Sequence, residues 1–532
     1  MDATLAERIA GAELDLGRDA AGRRVWRRHG GELPLDLDEP ALARLAASLP
    51  AGPAPALVVG LGPGDLVERL LAEGRPVTVV ERLPALIRLA LHERPALAEA
   101  ARDGRLELSL GSDVLDQRDS SATRIAHPSF ADEYALERAL LDSPPRERRA
   151  VLLTGGLFVH DVGEALHAQG FDVLPVDPQH WSLDEIALAF DRFQPEVAVS
   201  INHRAGLASF CAQRGVPLIV WEIDPCTDRG VTAEENSTTH VFTWRRSQVA
   251  AFTRAGFRSV RHLPLGSSQE RRRPIAPNDP QLAPLECDVS FVGSSLVGSS
   301  RALRERFLDV WAAWHPRGSS REERALAERA VEEVLAAQER EPWGSWILPR
   351  LLRERFPELL AAWERSALSD DPLLLLAESS AARARRRILG ALAEFTPDVW
   401  GDDGWRDAPG ILWRGPAGHA RELTRIYCAS RINIDVGRVY QPDIVTMRVF
   451  DVLACGGFVL AERSDDLDEL FTVGREIETW EHPGELVAKT RWYLDHPEQR
   501  RAFAERGRAA VLERHSIRAR VRSMLDRVSV VR

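Results

Sequence analysis

Between residues 150 and 263 six short apolar runs alternate with helical segments, and that rhythm leaves few folds open. The runs fall at 151–153, 172–174, 196–200, 217–221, 240–242 and 261–263, with helix-forming stretches at about 161–169, 183–193, 205–214 and 247–255. Strands this short and this apolar must be covered on both faces, which strand–helix crossovers achieve by building a parallel, doubly wound sheet. The rhythm also appears earlier, where the strand 56–59 enters the turn Gly60-Leu-Gly-Pro-Gly64, a helix from about Asp65 and a second strand, 76–80, ending at Glu81. It returns at 288–293 and, after a charged helical stretch at 301–395, at 397–400, 410–413, 431–435, 458–461 and 476–479. The predicted class is α/β. Residues 1–50 read as amphipathic helix and 118–145 as polar helix ending in the joint Ser143-Pro-Pro-Arg146.

At 532 residues the chain is too long for one core. A net charge of −11 argues against a general nucleic-acid or anionic-membrane binder, both of which need a basic face. The first residues are acidic and helix-like, without the apolar core of a signal peptide, and no apolar run approaches the roughly 20 residues of a membrane span. These features predict a cytoplasmic protein. Cys211, Cys226, Cys287, Cys428 and Cys455 share no metal-ligand spacing and read as free thiols in a reducing compartment. Lys489 is the single lysine among 69 basic residues, so any phosphate clamp must use arginine or backbone amides.

The most informative stretch is YQPDIVTMRVFDVLACGGFVLA, 440–461. Residues 446–455 predict a helix closed by Gly456-Gly457 and followed at once by a strand. That helix is apolar nearly all round, yet it carries Arg448 and Asp451, three residues apart and so on one edge. Burying both is costly unless they pair with each other or meet a ligand. A helix amino end at the carboxyl edge of a parallel sheet suits a diphosphate, an arginine there adds a charge-assisted contact, and a carboxylate one turn deeper can hold ribose hydroxyls.

The runs ELTRIYCASRINID, 422–435, and RVFDVLACGG, 448–457, resemble the carboxyl-terminal domain of group 1 glycosyltransferases, and most nearly the spore-maturation (CgeB-like) bacterial proteins with their R-x-F-E-x-L-A-C-G-G signature. The resemblance extends through 480–520 and, more weakly, to 151–266 and 288–293. It implies a GT-B fold of two facing Rossmann-like domains: an accessory Rossmann-like domain at 1–146, an acceptor-side domain at 147–275, a nucleotide-sugar domain at 276–515 with the helical insertion 301–395, and a C-terminal helix at 516–532 that crosses back. It assigns Asp451 to the glutamate that holds the donor ribose and Asp443, eight residues upstream, to the first acid of an E-x7-E pattern near the transferred sugar. Both acids are one methylene shorter here. Arg448 would face the diphosphate, Gly293, Ser294 and Ser295 would form the first donor loop, and Gly415 is a further loop position. The clamp lysine of many relatives has no counterpart. The implied reaction moves a sugar from a UDP-, GDP- or dTDP-sugar to a glycan or protein acceptor, without metal or cofactor, by positioning and electrostatics.

Metal-dependent enzymes of this kind use a D-x-D pair. Asp466-Leu-Asp468 has that form but sits in an acidic run and reads as solvated loop, as does Asp36-Leu-Asp38. In the middle domain, Asn202-His203 and Glu222-Ile-Asp224 each follow a strand at its carboxyl edge. His203 could serve as a general base, and Asn202, Glu222 and Asp224 as acceptor-side groups. Two rival readings stand beside this one. Gly60, Gly62 and Gly64 with Glu81 resemble the S-adenosylmethionine site of methyltransferases, against a structural or acceptor-recognition role for that domain. The shortened acids would also suit a scaffold that kept the fold and lost catalysis.

Overall fold

The computed structural model describes residues 3–28, 31–224, 231–315, 320–365, 367–418 and 421–531. The chain divides into two compact units, the first comprising residues 1–243, 248–262 and 521–532, the second residues 244–247 and 263–520.

The first unit opens with a departure from the sequence reading. Helices Ala3–Ile9 and Glu39–Ala47 flank an antiparallel meander of β1 (Leu16–Arg18), β2 (Arg24–Arg28) and β3 (Gly31–Pro34). Gly22, with φ of 80°, makes the turn between the first two strands, and Val25 and Trp26 turn into the core. Four parallel strands follow: β4 (Ala56–Val59), β5 (Val77–Glu81), β6 (Leu106–Leu110) and β7 (Thr123–Ala126), in the order β6-β5-β4-β7. β7 lies in the segment expected to be helical; four residues with one fully apolar centre, Ile125, are too short and too polar to announce a strand. The next sheet contains β8 (Arg148–Leu153), β9 (Phe171–Val176), β10 (Val197–Ile201), β11 (Leu218–Glu222), β12 (Thr239–Thr243) and β13 (Ser259–His262), all parallel, ordered β9-β8-β10-β11-β12-β13. All six runs read from the sequence are strands of this sheet. One apolar cluster, from Trp26 and Leu57 through Leu153 and Phe190 to Val241, serves both parallel sheets of the unit. Arg8 ties them together as well, reaching Asp113 and Glu185 at 2.7 Å each.

The second unit is built on β14 (Cys287–Val292), β15 (Asp398–Trp400), β16 (Leu412–Gly415), β17 (Ser430–Ile434), β18 (Val459–Glu462) and β19 (Glu478–Trp480), parallel and ordered β16-β15-β14-β17-β18-β19. The strand order reverses between β14 and β17, and ligands of doubly wound sheets bind in the crevice at such a point. Between β14 and β15 the described residues form the α-helices Val297–Trp314, Arg321–Arg340, Leu348–Arg355, Pro357–Glu364 and Pro372–Ala391. They hold their own core around Phe307, Leu335, Leu352 and Leu376. The helix Met447–Ala454 buries six of its eight residues and stops where Gly456 takes φ of 74°. A Cβ at Gly457 would lie 2.9 Å from the Tyr427 carbonyl, so the glycine pair lets the chain turn directly into β18.

Candidate functional site

In the second unit the loop Gly293-Ser294-Ser295 leaves β14 at the crevice. Leu296, next in line, sits at φ of 62°, a left-handed conformation that a leucine adopts only under constraint. Arg448, at the start of the Met447–Ala454 helix, lies across this loop. Its Nε donates to the Val292 carbonyl at 2.7 Å, its Nη1 pairs with Asp435 at the end of β17, and its guanidinium stacks 4.7 Å from the centre of the Phe291 ring. A Cβ at Gly293 would come within 2.7 Å of Arg448 Nη2, so this position must be glycine for the arginine to lie where it does. Ser294 Oγ donates to Asp402, Ser295 N–H donates to the same carboxylate at 3.2 Å, and Ser295 Oγ accepts from Val297 N–H at 3.1 Å. These bonds hold the Asp402 carboxyl below its usual range even though partial burial pushes it up.

A second arginine arrives from the helical insertion. Arg385, on the helix Pro372–Ala391, is 6% exposed; its Nη1 donates to the Ser294 carbonyl at 2.7 Å, and its Nε has no hydrogen-bond partner. Burial, reinforced by the charges of Arg448 and Arg438, pulls this guanidinium down to about 9. Asp435 faces the cluster, accepting from Arg448 and, at 2.6 Å, from Thr446 Oγ1. Thr446, at the N-cap position, donates its hydroxyl to Asp435 and makes no capping bond, so the first-turn N–H groups of the Met447–Ala454 helix carry no side-chain cap. Arg385, Arg448 and the nearby Arg438 thus gather around a loop held by Asp402 and Asp435, in a partly desolvated crevice beside helix N–H donors. Such a place suits a diphosphate.

Sequence reasoning missed Arg385. The insertion was read as a block of charged helix, and nothing in a run of four arginines, 383 and 385–387, marks which one turns inward. A helical projection would have helped, since Ser380, Ala381, Ala382, Arg385, Ile388 and Leu389 form the buried stripe.

The structure separates the two charges that the sequence placed on one edge. Arg448 and Asp451 do not pair with each other: Asp451 accepts from Ser267 Oγ at 2.6 Å and from Arg272 Nε at 2.9 Å, in a closed pocket where it and Arg272 are each about 5% exposed. Each of its oxygens accepts a bond from the segment entering this unit, which Asp451 anchors. Asp443 is likewise tied down, by Arg245 at 3.0 Å and by Ser247 N–H and Oγ at 2.9 and 2.5 Å. Partial burial raises its carboxyl, and these bonds more than reverse the effect. Gly415 takes φ of 89° at the end of β16, an outer strand separated from β14 by β15. The D-x-D residues diverge: Asp466 meets Arg246 at 3.0 Å, Asp468 meets Arg463 at 2.9 Å. Among the described residues no group of three or more His, Cys, Asp or Glu side chains could hold a metal, and no helix is long and apolar enough to cross a membrane. Cys226 lies outside the described residues.

In the first unit, Asn202, His203, Glu222 and Asp224 do come together at the carboxyl edges of β10 and β11. Asn202, at φ of 63°, donates to Asp224 at 2.6 Å and accepts the N–H groups of Ile223 and Asp224; His203 N–H donates to Glu222 at 2.7 Å. Burial raises the Glu222 carboxyl to about 7, and the neighbouring charge of Asp224 adds to the effect.

The glycine turn after β4 is closed. Cβ atoms at Gly60, Gly62 and Gly64 would meet Phe130 at 2.9 Å, His127 at 2.6 Å and Leu97 at 2.6 Å. Glu81 is buried and accepts from Leu61 N–H and Leu83 N–H at 2.7 and 2.8 Å and from the Tyr134 hydroxyl. All three glycines of this turn thus pack closely on the domain's own side chains.

Residues 381–526 match the model of a glycosyl transferase-like family. No curated protein matches the chain. Among solved structures, the chain is similar to Anabaena HepE in complex with UDP and glucose (11% identity, 72% of this chain and 100% of that one, TM-score 0.38). It is also similar to a sucrose-phosphate synthase from Thermosynechococcus elongatus (13%, 72% and 99%, 0.38) and to the BGT protein of phage T4 in complex with UDP and Mn2+ (12%, 72% and 99%, 0.38).

Proposed function

We propose that this protein is a glycosyltransferase that binds a nucleotide-sugar in the second unit and transfers the sugar to a glycan or protein acceptor. One observation carries the reading. Two guanidinium groups, the buried Arg385 and the partly buried Arg448, grip the exit loop of β14 at the strand-order reversal, with the Asp435 carboxylate on Arg448 and an uncapped helix amino end beside it. A pyrophosphate answers that charge. As the glycosidic bond breaks, negative charge builds on the departing diphosphate, and fixed arginines stabilise it without rearranging. The family match over 381–526 spans both arginines and supports the same reaction class.

In this reading arginine supplies the cationic help, and the reaction needs no metal. Asn202, Glu222 and Asp224 are the acceptor-side groups of the first unit and His203 its base, with Glu222, titrating near 7, a second group able to take a proton from an acceptor hydroxyl. Asp443 serves as a positioning carboxylate. A cytoplasmic location and the four-part domain division belong to the same proposal.

The test is a screen of UDP-, GDP- and dTDP-sugars for binding and for slow hydrolysis, repeated in the presence of EDTA. One nucleotide-sugar should bind and hydrolyse, with EDTA without effect. Binding without any hydrolysis would favour the non-catalytic scaffold, and loss of turnover with EDTA would remove the metal-free mechanism.

A further inference from the structure

The helical insertion does more than deliver Arg385. Its hairpin between the helices Arg321–Arg340 and Leu348–Arg355 folds over the carboxyl end of β18 and leaves a pocket of about 540 Å3, counting the part open to solvent. The walls are Trp343 from the hairpin, Ser380, Arg383 and Arg387 from the helix Pro372–Ala391, and Gly437 and Glu462 from the sheet edge.

Two features show that the pocket is built for a ligand. Ser380 is 6% exposed, and its Oγ has no hydrogen-bond partner. A serine inside a helix ordinarily returns its hydroxyl to a carbonyl one turn back; this one is held ready for something else. Glu462 accepts from Trp343 Nε1 at 2.9 Å and from Gly437 N–H at 2.8 Å, so the carboxyl is fixed at the pocket wall with a further lone pair on each oxygen. Burial raises it to about 7, which makes it a hydrogen-bond donor as well as an acceptor near neutrality.

The charge balance defines the ligand. The lining guanidinium groups of Arg383 and Arg387 are matched by the carboxylates of Glu339, Glu341 and Glu462, and Arg383 is already paired with Glu332 at 2.7 Å. No cationic excess favours a phosphate here, in contrast to the Arg385–Arg448 cluster. An apolar wall of Trp343 and Pro342 opposite hydroxyl, amide and carboxyl groups fits a ring with one C–H face and a rim of hydroxyls. We propose that this pocket is a sugar-binding subsite, in which Ser380 and Glu462 hydrogen-bond the hydroxyls of a neutral pyranose laid against Trp343. The ligand class rests on the glycosyl-transfer reading; the pocket and its orphan hydroxyl do not.

The test is saturation-transfer NMR on the full chain, with methyl glycosides of the common hexoses and pentoses as one set of probes and UDP-, GDP- and dTDP-sugars as the other. Three proteins are compared: wild type, Ala384→Phe, which fills the pocket from a half-buried helix position, and the gentler Ser380→Ala. Sugar ring protons should saturate in wild type and lose the effect in Ala384→Phe, with Ser380→Ala weakening the sugar about tenfold. Saturation by free glycosides would identify an acceptor sugar, and saturation only for the nucleotide-linked sugar would identify the donor's. Ring protons that never saturate, or that saturate equally in Ala384→Phe, overturn the proposal. Nucleobase protons in the same samples report the diphosphate site separately, so a chain that binds sugars but no nucleotide would defeat the donor reading alone.

Discussion

Arg385→Met separates the functional reading of the arginine cluster from a structural one because the two predict opposite signs. Burial pulls the Arg385 guanidinium from its ordinary 12.5 down to about 9, yet it remains charged at neutral pH, so the fold carries the cost. At about 1.36 kcal/mol per pH unit that cost is roughly 5 kcal/mol. The bond to the Ser294 carbonyl offsets part of it, since a hydrogen bond to a charged group contributes about 1.5–3 kcal/mol. Methionine keeps most of the side-chain volume and removes the charge, for a net gain of about 2 kcal/mol. In a unit of this size that corresponds to a rise in Tm of about 4–8 °C without ligand. The same change deletes a charge-assisted phosphate contact and should raise the Kd for the bound nucleotide-sugar roughly 10- to 100-fold. Differential scanning fluorimetry reads the first effect and isothermal titration calorimetry the second. A variant that melts lower than wild type and binds nucleotide-sugars unchanged would mean that Arg385 is a structural residue, and the diphosphate site would lose its main support.

Asp451→Ala should unfold at a lower urea concentration, with a loss of about 3–5 kcal/mol, because it removes a buried carboxylate paired with Arg272; a variant of unchanged stability that binds donor poorly would instead return Asp451 to the ribose. Glu462 binds its proton more tightly in the folded chain, at about 7 against an ordinary 4.5, so the stability it contributes is full below 4.5 and is lost as pH rises through 7. The total is on the order of 3 kcal/mol, and Glu462→Gln should remove that slope, leaving the variant more stable than wild type at pH 8 in urea titrations; a wild-type chain that gains stability over the variant as pH rises would contradict the assignment.

What the sequence made legible follows from how local each signal is. The strands of the middle sheet were readable because both faces are buried, so each is a continuous apolar run such as Ala198, Val199 and Ile201 in β10. The helix 447–454 was readable because its stop is local chemistry: two glycines, one at positive φ and one against the Tyr427 carbonyl. The meander at 16–34 was not readable, because its short strands set Val25 and Trp26 among arginines and give little apolar run. At the site, Arg448 lies against the loop of Gly293, Ser294 and Ser295, residues that the family resemblance rather than spacing brought to notice. Arg385, some 63 residues before Arg448 in the chain and inside an uninformative arginine run, reaches them only through the tertiary path of the insertion.

The acids and bases that the sequence singled out also differ in a way that spacing cannot express, namely in whether the fold satisfies them. Glu81 takes two backbone N–H groups and a tyrosine hydroxyl, and Asp451 takes a serine and a guanidinium. Each looked functional because a charge in an apolar stretch demands a partner, and in each case the partner is the protein itself. Arg385 and Ser380 demand partners just as strongly and find fewer: the guanidinium Nε and the hydroxyl are both buried and unmet. Native folds rarely leave such groups unmet without a reason. These two residues lie on one helix, five positions and so about 140° apart around its axis, one on the loop after β14 and one on the pocket at β18. One faces a cationic crevice and the other a neutral pocket. A ligand with a diphosphate at one end and a sugar at the other would satisfy both, and the insertion would then be the element that recognises the two halves of one donor.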